Sequence, residues 1–91
     1  MILILKNQHT ALLMKKTCLN ILIVDDATLV VQRLFEILNE ISCVQNLSKA
    51  NSYNEAVEFL NNQPPDIILL DIQLPGKNGI ELLTYIREKH P

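Results

Sequence analysis

Cysteine and glycine are both scarce in this sequence, and each scarcity argues against a class of site. The two cysteines, Cys18 and Cys43, form no CxxC pair, and with His9 and His90 they match no metal-ligand spacing. We therefore interpret both as small apolar residues in a reducing compartment. Only two glycines are present, and no glycine-rich turn follows Val24, which argues against a dinucleotide-binding fold.

Long hydrophobic runs and an excess of positive charge are also missing. Eight basic residues against ten acidic ones give a net charge of −2, which offers no electrostatic excess for binding nucleic-acid phosphates. The apolar segments are far shorter than the roughly 20 residues of a membrane span, and too short for a secretory signal. We therefore expect a cytoplasmic protein without a nucleic-acid or membrane partner. The length of 91 residues and the hydrophobic fraction of 48% predict one globular domain.

Two short apolar segments each end in aspartate. Residues 21–24 (ILIV) run into Asp25 and Asp26, and Ile67–Leu70 runs into Asp71. Branched side chains without alternation predict strands that are buried on both faces, as in parallel sheets. The segment 43–50 mixes apolar and polar residues and is predicted to be an edge strand.

The segments between these strands follow a helical period. Apolar residues at positions 27, 30, 31, 34, 38 and 41 define a first helix. A second helix covers residues 53–62, where Ser52 and Glu55 have capping-box spacing. A third begins near Gly79, with Asn78 as its predicted N-cap. Strands that alternate with helices predict an α/β fold, with a parallel sheet and right-handed crossovers.

The three aspartates at the strand ends are the candidate site. Ligands of such sheets bind beyond the carboxyl ends of the strands, so Asp25, Asp26 and Asp71 converge if the first and third strands are neighbours. Mg²⁺ would relieve their mutual repulsion, and Asp71 could attack a phosphoryl group while the other two hold the metal. In the structural alternative, Asp26 caps the first helix and Asp71 begins a turn. Together, the two strand-end features favour the functional interpretation.

From residue 20 onward, the chain resembles the receiver domain of two-component response regulators. The resemblance rests on ILIVDD at residues 21–26 and on DIILLDIQLPGKNGIELLTYIREKHP at residues 66–91. Asp71, Pro75 and Gly79 have the spacing of the family's loop after its phosphorylated aspartate, which Pro75, Gly76 and Gly79 would shape. The resemblance implies a flavodoxin-like, doubly wound parallel sheet that is incomplete, with three strand–helix units and the strand order 2-1-3.

The resemblance also implies a role for each site residue. Asp71 would accept a phosphoryl group from the phosphohistidine of a sensor histidine kinase or a histidine phosphotransfer protein. Mg²⁺ would be bound directly by Asp26, largely through water by Asp25, and also by Asp71 and the backbone carbonyl of Gln73. The protein would then be a phosphoprotein of a phosphorelay and not an enzyme. The alternative is a receiver remnant that is not phosphorylated, and that acts only as an interaction module or has no function.

Two enzyme classes fit the sequence less well. A haloacid dehalogenase-type phosphatase needs a second aspartate two residues after its nucleophile, and that position holds Gln73. A P-loop is imitated by Gly76 and Lys77, but Asn78 stands at its Ser/Thr position. Both classes are therefore disfavoured.

The two ends of the chain depart from the family. Residues 1–18 are interpreted as an N-terminal extension to a receiver-like domain at 19–91. Met14 is predicted to be the physiological start, or residues 1–13 to be dispensable; the alternative is that residues 1–5 form an added strand. At the other end the sequence stops at Pro91, before the family's fourth strand. It also stops before the strand-end hydroxyl that carries the family's conformational signal and before the lysine that contacts the phosphoryl group. We therefore expect slow phosphorylation of Asp71.

The same departure leads to an expectation about self-association. In the family the third strand pairs with the fourth, so the edge of Ile67–Leu70 is expected to be unpaired. We therefore expect the chain to self-associate, to exchange elements with a second copy, or to be poorly folded. Part of Val30, Leu34 and Leu38 is expected to be exposed on the first helix.

Overall fold

Four strands and three helices make up the described part of the chain. The structure is a computed structural model that describes residues 2–5, 19–73 and 79–89. In chain order the elements are β1 (Ile2–Leu5), β2 (Leu19–Val24), α1 (Thr28–Asn39), β3 (Val44–Ala50), α2 (Tyr53–Asn62), β4 (Ile67–Leu70) and α3 (Gly79–Lys89). From β2 onward, strands and helices alternate as the sequence pattern predicts.

One sheet contains all four strands, in the order β1-β4-β2-β3. The central strand β2 runs parallel to β3 on one side and to β4 on the other. The three strands predicted from sequence therefore lie in the expected order, with the first predicted strand between the second and the third. This arrangement confirms an incomplete flavodoxin-like receiver fold.

The fourth strand of the sheet is β1, which pairs antiparallel with β4. The register joins Ile2 to Leu70 and Leu5 to Ile67, so the two four-residue strands match along their whole length. The expectation that β4 has an unpaired edge is therefore wrong. The alternative interpretation of residues 1–5 as an added strand describes the structure, and self-association through an unpaired third strand loses its premise.

The sheet has an apolar core on each face, because successive side chains of a strand point to opposite faces. We call the side covered by α2 and α3 the two-helix face, and the side covered by α1 the one-helix face. The core of the two-helix face consists of Leu22, Val24, Ala50, Ala56, Leu60, Ile68, Leu70, Leu82 and Ile86. The core of the one-helix face consists of Leu19, Ile21, Ile23, Val31 and Ile67.

The helix boundaries follow local chemistry. Ser52 caps α2, since its hydroxyl accepts a 3.2 Å hydrogen bond from the backbone N–H of Glu55, which confirms this half of the predicted capping box. The helix ends at Asn62, before Pro64 and Pro65 lead into β4. Asn78, the predicted cap of α3, lies outside the described residues. No described helix is long and apolar enough to cross a membrane.

Hydrogen bonds connect the strands at the amino edge of the sheet, opposite the edge that carries Asp25, Asp26 and Asp71. The backbone N–H of Asn20 donates to Asp66 Oδ2 at 2.9 Å, and the N–H of Asp66 donates to the carbonyl of Asn20 at 2.8 Å. The side-chain amide of Asn46 donates to Asn20 Oδ1 at 2.8 Å. These bonds connect β2 to the entrance of β4 and to β3, and help to set the register that aligns the strand ends.

Candidate functional site

The strand ends bring the three predicted aspartates together. Asp25 and Asp26 follow β2, and Asp71 follows β4, which is its parallel neighbour. The N–H of Asp71 donates to the carbonyl of Val24 at 2.8 Å, and the N–H of Asp25 donates to the carbonyl of Ala50 at 3.0 Å. These bonds continue the hydrogen bonding between neighbouring strands for one residue beyond the strand ends. They therefore fix the backbone of Asp25 and Asp71. One carboxylate oxygen from each aspartate lies within 4.8 Å of those of the other two.

Asp25 is the buried member of the cluster, with 5% of its surface exposed. Burial is the largest cause that raises the pKa of its carboxyl group, and the hydrogen bond that Oδ1 accepts from the N–H of Ala27, at 2.8 Å, partly offsets the rise. The negative charge of Asp71, a hydrogen bond with that residue and the charge of Asp26 raise the pKa further. The ionised form is therefore costly here without a neighbouring cation.

Asp26 is exposed and does not cap the helix that follows it. The N-cap of α1 is Ala27, and no side chain caps the helix. The structural alternative that made Asp26 the cap is therefore wrong. Its carboxylate stands beside that of Asp25, at the mouth of the cluster.

Asp71 is half-buried, and its carboxylate is oriented by the chain that follows. Its Oδ1 accepts a 3.1 Å hydrogen bond from the backbone N–H of Gln73. This local bond is typical of an aspartate that begins a turn, and the same residue joins the acidic cluster. Pro75 and Gly76, which would continue that turn in the structural alternative, lie outside the described residues. The ligand role of the Gln73 carbonyl stays a prediction.

Gly79 lets α3 begin directly against the backbone that carries Asp71. A Cβ at this position would lie 2.5 Å from the carbonyl oxygen of Asp71 and from Cα of Ile72. The N–H of Gly79 also donates to the carbonyl of Ile72. Only glycine permits so close an approach. The sequence assigned Gly79 a general part in shaping the loop; Pro75, Gly76 and Lys77 lie outside the described residues.

Sequence reasoning missed a cleft of about 320 Å³ that opens beside Asp25 and Asp26. It lies between α1 and the β3–α2 connection, and Asp71 does not line it. Its other lining residues are Thr28, Val31, Gln32, Phe35, Lys49, Asn51 and Glu55. The signal that could have found it is Lys49, which is one residue from the end of β3 and therefore close to the same sheet edge as the aspartates.

Comparison with known proteins shows to which family the chain belongs. The sequence profile of the response regulator receiver domain matches residues 21–91. The transcriptional regulatory protein MalR of Bacillus subtilis (strain 168) is 40% identical over 72 residues, which are 79% of this chain and 31% of that protein. A protein-glutamate methylesterase/protein-glutamine glutaminase of Nitrosospira multiformis is 36% identical over 73 residues, which are 80% of this chain and 21% of that protein. The chain therefore spans less than a third of these relatives.

Solved structures agree with this assignment. The N-terminal domain of a response regulator receiver protein from Methanoculleus marisnigri JR1 has a TM-score of 0.70 at 35% identity, covering 76% of this chain and 55% of that one. A sulfate-bound mutant of the response regulator MaeR has a TM-score of 0.76 at 28% identity, covering 81% and 61%. The fold and the site define a receiver of two-component signalling. The chain belongs to the response regulator receiver domain family.

Proposed function

We propose that the chain is the receiver module of a two-component phosphorelay and accepts a phosphoryl group on Asp71. The observation that carries this proposal is the convergence of the Asp25, Asp26 and Asp71 carboxylates within 4.8 Å at the carboxyl edge of the sheet. Ligand sites of open α/β sheets lie at that edge. Family membership supports the same role.

The carboxylate oxygens of the three aspartates are suitable ligands for a magnesium ion. Carboxylate oxygens are ligands that Mg²⁺ prefers, commonly one or two together with a phosphate. Burial and two neighbouring carboxylates raise the pKa of Asp25, so a cation would offset a cost that the fold itself creates. The ion would be held by Asp25, Asp26, Asp71 and the backbone carbonyl of Gln73. When bound, it would neutralise negative charge on the carboxylates and on the incoming phosphoryl oxygens.

Asp71 is the proposed nucleophile. One of its carboxylate oxygens attacks phosphorus, and an acyl phosphate bond forms as the bond between phosphorus and the imidazole nitrogen of the donor breaks. The electron pair of the broken bond stays on that nitrogen, which takes up a proton. The half-buried position of Asp71 leaves it accessible, and the N–H of Gln73 holds Oδ1 in place.

The proposed phosphoryl donor is a sensor histidine kinase or a histidine phosphotransfer protein. No hydrolase activity is proposed, because the methylesterase of Nitrosospira multiformis aligns with this chain over only 21% of its length. A receiver remnant that is not phosphorylated is the competing interpretation, and the experiment below separates the two.

The test is phosphorylation of the purified chain by acetyl phosphate with Mg²⁺, followed by intact mass spectrometry. We expect a gain of one phosphoryl group that disappears in Asp71→Asn and when the metal is chelated. Glu36→Gln is the matched control, because Glu36 is an exposed carboxylate on α1. Equal incorporation by Asp71→Asn and the parent would contradict the assignment of Asp71. No incorporation into the folded parent would favour the remnant.

A further inference from the structure

Lys49 lies in the cleft beside Asp25 and Asp26. Ala50 is in the core of the two-helix face, and Leu47 packs on the one-helix face. Because successive side chains of a strand point to opposite faces, Lys49 lies on the same side of the sheet as α1. Among the described residues that line the cleft, it is the only basic one. The cleft therefore combines one cationic side chain with two aspartates of the proposed phosphoryl site.

The ammonium group of Lys49 has no partner in the described part of the chain. The residue is exposed, and no described residue forms an ion pair or a hydrogen bond with this group. The carboxylate of Glu55, which also lines the cleft, lies against the side-chain amide of Asn51 instead. Glu58 shares a second groove with Lys49 and forms no ion pair with it either. The charge of Lys49 is therefore not neutralised by a described carboxylate.

The carboxyl edge of the sheet carries an excess of negative charge. The acidic cluster holds three carboxylates within 4.8 Å of one another, and Glu55 lies close by in the first turn of α2. The other described basic residues do not line the cleft, since Arg33 is on α1, and Arg87 and Lys89 are in the last turn of α3. A phosphodonor carries negative charge on its phosphoryl oxygens, so this edge repels it. Lys49 is the described cation that opposes this repulsion beside the cluster.

We propose that Lys49 is a positioning residue for phosphoryl transfer, which attracts the anionic donor toward the acidic cluster. The strand that carries it, β3, is separated from β4 and Asp71 by β2, so Lys49 acts on the approaching donor and not on the reacting atoms. The inference rests on the proposed function and adds a residue outside the cluster. In the competing explanation, Lys49 only protects the β3 edge from pairing with another chain.

Phosphorylation of the full chain by acetyl phosphate with Mg²⁺ measures this role. The carboxylate of Asp71 attacks phosphorus, and the electron pair of the broken bond leaves with acetate. At low ionic strength we expect Lys49→Gln to lower the second-order rate constant by about three- to tenfold. Lys49→Arg should restore most of the rate, and high salt should remove the difference.

The matched control is Lys89→Gln, which removes the same charge in the last turn of α3 and should react as the parent does. Equal rates for Lys49→Gln and the parent at low ionic strength would overturn the inference. An equal slowing in Lys89→Gln would overturn it as well, because the net charge of the chain would then be the cause.

Magnesium affinity separates positioning from damage to the fold. Loss of a positive charge does not weaken a cation site electrostatically, so Lys49→Gln should bind Mg²⁺ as tightly as the parent does, or more tightly. Calorimetric titration measures both affinities. Weaker Mg²⁺ binding in Lys49→Gln would show that Lys49 maintains the structure of the cluster, and would contradict a role on the donor alone.

Binding of acetonylphosphonate separates the inference from the proposed function, because a methylene group replaces the bridging oxygen of acetyl phosphate and no transfer can occur. In NMR titrations with Mg²⁺ present, we expect Lys49→Gln to weaken binding by about three- to tenfold. If the parent binds the analogue in this Lys49-dependent way but gains no phosphoryl group from acetyl phosphate, the proposed function fails and the inference stands. Absent binding, or equal binding by the two chains, would refute the inference even where Asp71 is phosphorylated.

Discussion

The two faces of the sheet are built from the same strands but are covered to different extents. On the two-helix face, Leu60, Leu70 and Leu82 are fully buried. On the one-helix face, Ile23 is also fully buried, but Ile67 keeps 8% of its surface exposed and the overlying Val31 keeps 7%. Because neighbouring residues of β2 and β4 supply both cores, the difference comes from the helices and not from the strands.

The helix α1 shows what this incomplete cover means. Its exposed apolar residues Val30 and Ile37 are two helical turns apart, with 42% and 61% of their surfaces exposed, and Ile41, just beyond the end of the helix, is 42% exposed. The stripe lies beside the residues that pack on the sheet, namely Val31, Leu34, Phe35 and Leu38. The apolar pattern of α1 is therefore wider than the contact it makes with the described part of the sheet. The predicted partial exposure of Val30 is confirmed, while Leu34 and Leu38 are half-buried.

The largest expected effect is the loss of a core side chain on the two-helix face. Leu82→Ala should lower the free energy of unfolding by about 2–5 kcal/mol, because it leaves a cavity under α3. The matched control is Leu29→Ala on α1, where 77% of the side chain is exposed, and its effect should stay within about 0.5 kcal/mol. Urea unfolding measures both values. Equal losses would contradict the burial of Leu82 on the two-helix face and the exposure of Leu29 on α1.

The second largest expected effect is that of a substitution at the start of α3, where the two-helix face meets the acidic cluster. Gly79→Ala should lower the free energy of unfolding by about 1–3 kcal/mol, because the added Cβ meets the backbone of Asp71 and Ile72. It should also slow phosphorylation of Asp71 by displacing that backbone. Glu88→Ala, on the exposed surface of the same helix, is the control and should change neither quantity. An unchanged Gly79→Ala variant would show that α3 does not begin against the site.

Sequence patterns predicted the buried strands but not all of their partners. The apolar runs of β2 and β4 were recognisable because both faces of each strand are buried. The sequence does not show which strand pairs with β1, because the pairing of Ile2–Leu5 with β4 is a long-range contact that local periodicity does not encode. The same limit hid the hydrogen bond between Asn20 and Asp66, which are 46 positions apart.

The acidic cluster was predictable for a related reason. Strand ends in a parallel sheet meet at one edge, so the positions of Asp25, Asp26 and Asp71 followed from the strand order that the family resemblance supplied. The contact of Gly79 with the Asp71 backbone and the N-cap at Ala27 depend on exact backbone paths. Composition and spacing do not determine such paths.

Burial of Asp25 predicts a pH dependence of stability when no divalent cation is present. Since its pKa is higher in the folded chain than in the unfolded chain, the folded state binds more protons in the window between the two values. The contribution of Asp25 to the free energy of unfolding should therefore fall as pH rises through that window, which begins at about 3.9.

Asp25→Asn tests this prediction. The variant keeps an oxygen that can accept the N–H of Ala27 and removes the charge, so it should be more stable than the parent at pH 7. The control is Asp26→Asn, which removes a charge at the exposed mouth of the cluster and should stabilise less. Thermal unfolding across pH with a chelator measures both. A parent whose stability rises relative to that of Asp25→Asn through the window would contradict the proposed cost of the buried charge.

Magnesium binding should distinguish the cluster from other carboxylates of the chain. If Asp26 contacts the ion directly and Asp25 acts largely through water, Asp26→Asn should weaken Mg²⁺ binding more than Asp25→Asn does. Glu36→Gln and Glu40→Gln, on the exposed side of α1, should bind as the parent does. Calorimetric titration gives the four affinities. An unchanged affinity in Asp26→Asn would remove it from the metal site.

The smallest expected effect on the free energy of unfolding is that of replacing a residue in the exposed apolar stripe of α1. Ile37→Gln should change the free energy of unfolding by less than about 0.5 kcal/mol, because 61% of the side chain is already exposed. Ile86→Gln, at a position that is 2% exposed on the two-helix face, should be severely destabilising. Chemical denaturation of the pair compares the two faces with one substitution. A large loss in Ile37→Gln would show that the stripe is covered in solution.

The most direct test of the central claim is peptide mapping of the chain after reaction with a phosphorylated histidine phosphotransfer protein. With Mg²⁺ present, we predict that the phosphoryl group is found on Asp71 and on no other residue, and that chelation of the metal suppresses the transfer. A phosphoryl group on another residue, or transfer that persists unchanged in Asp71→Asn, would contradict the proposal that the acidic cluster at the ends of β2 and β4 is a phosphoacceptor site.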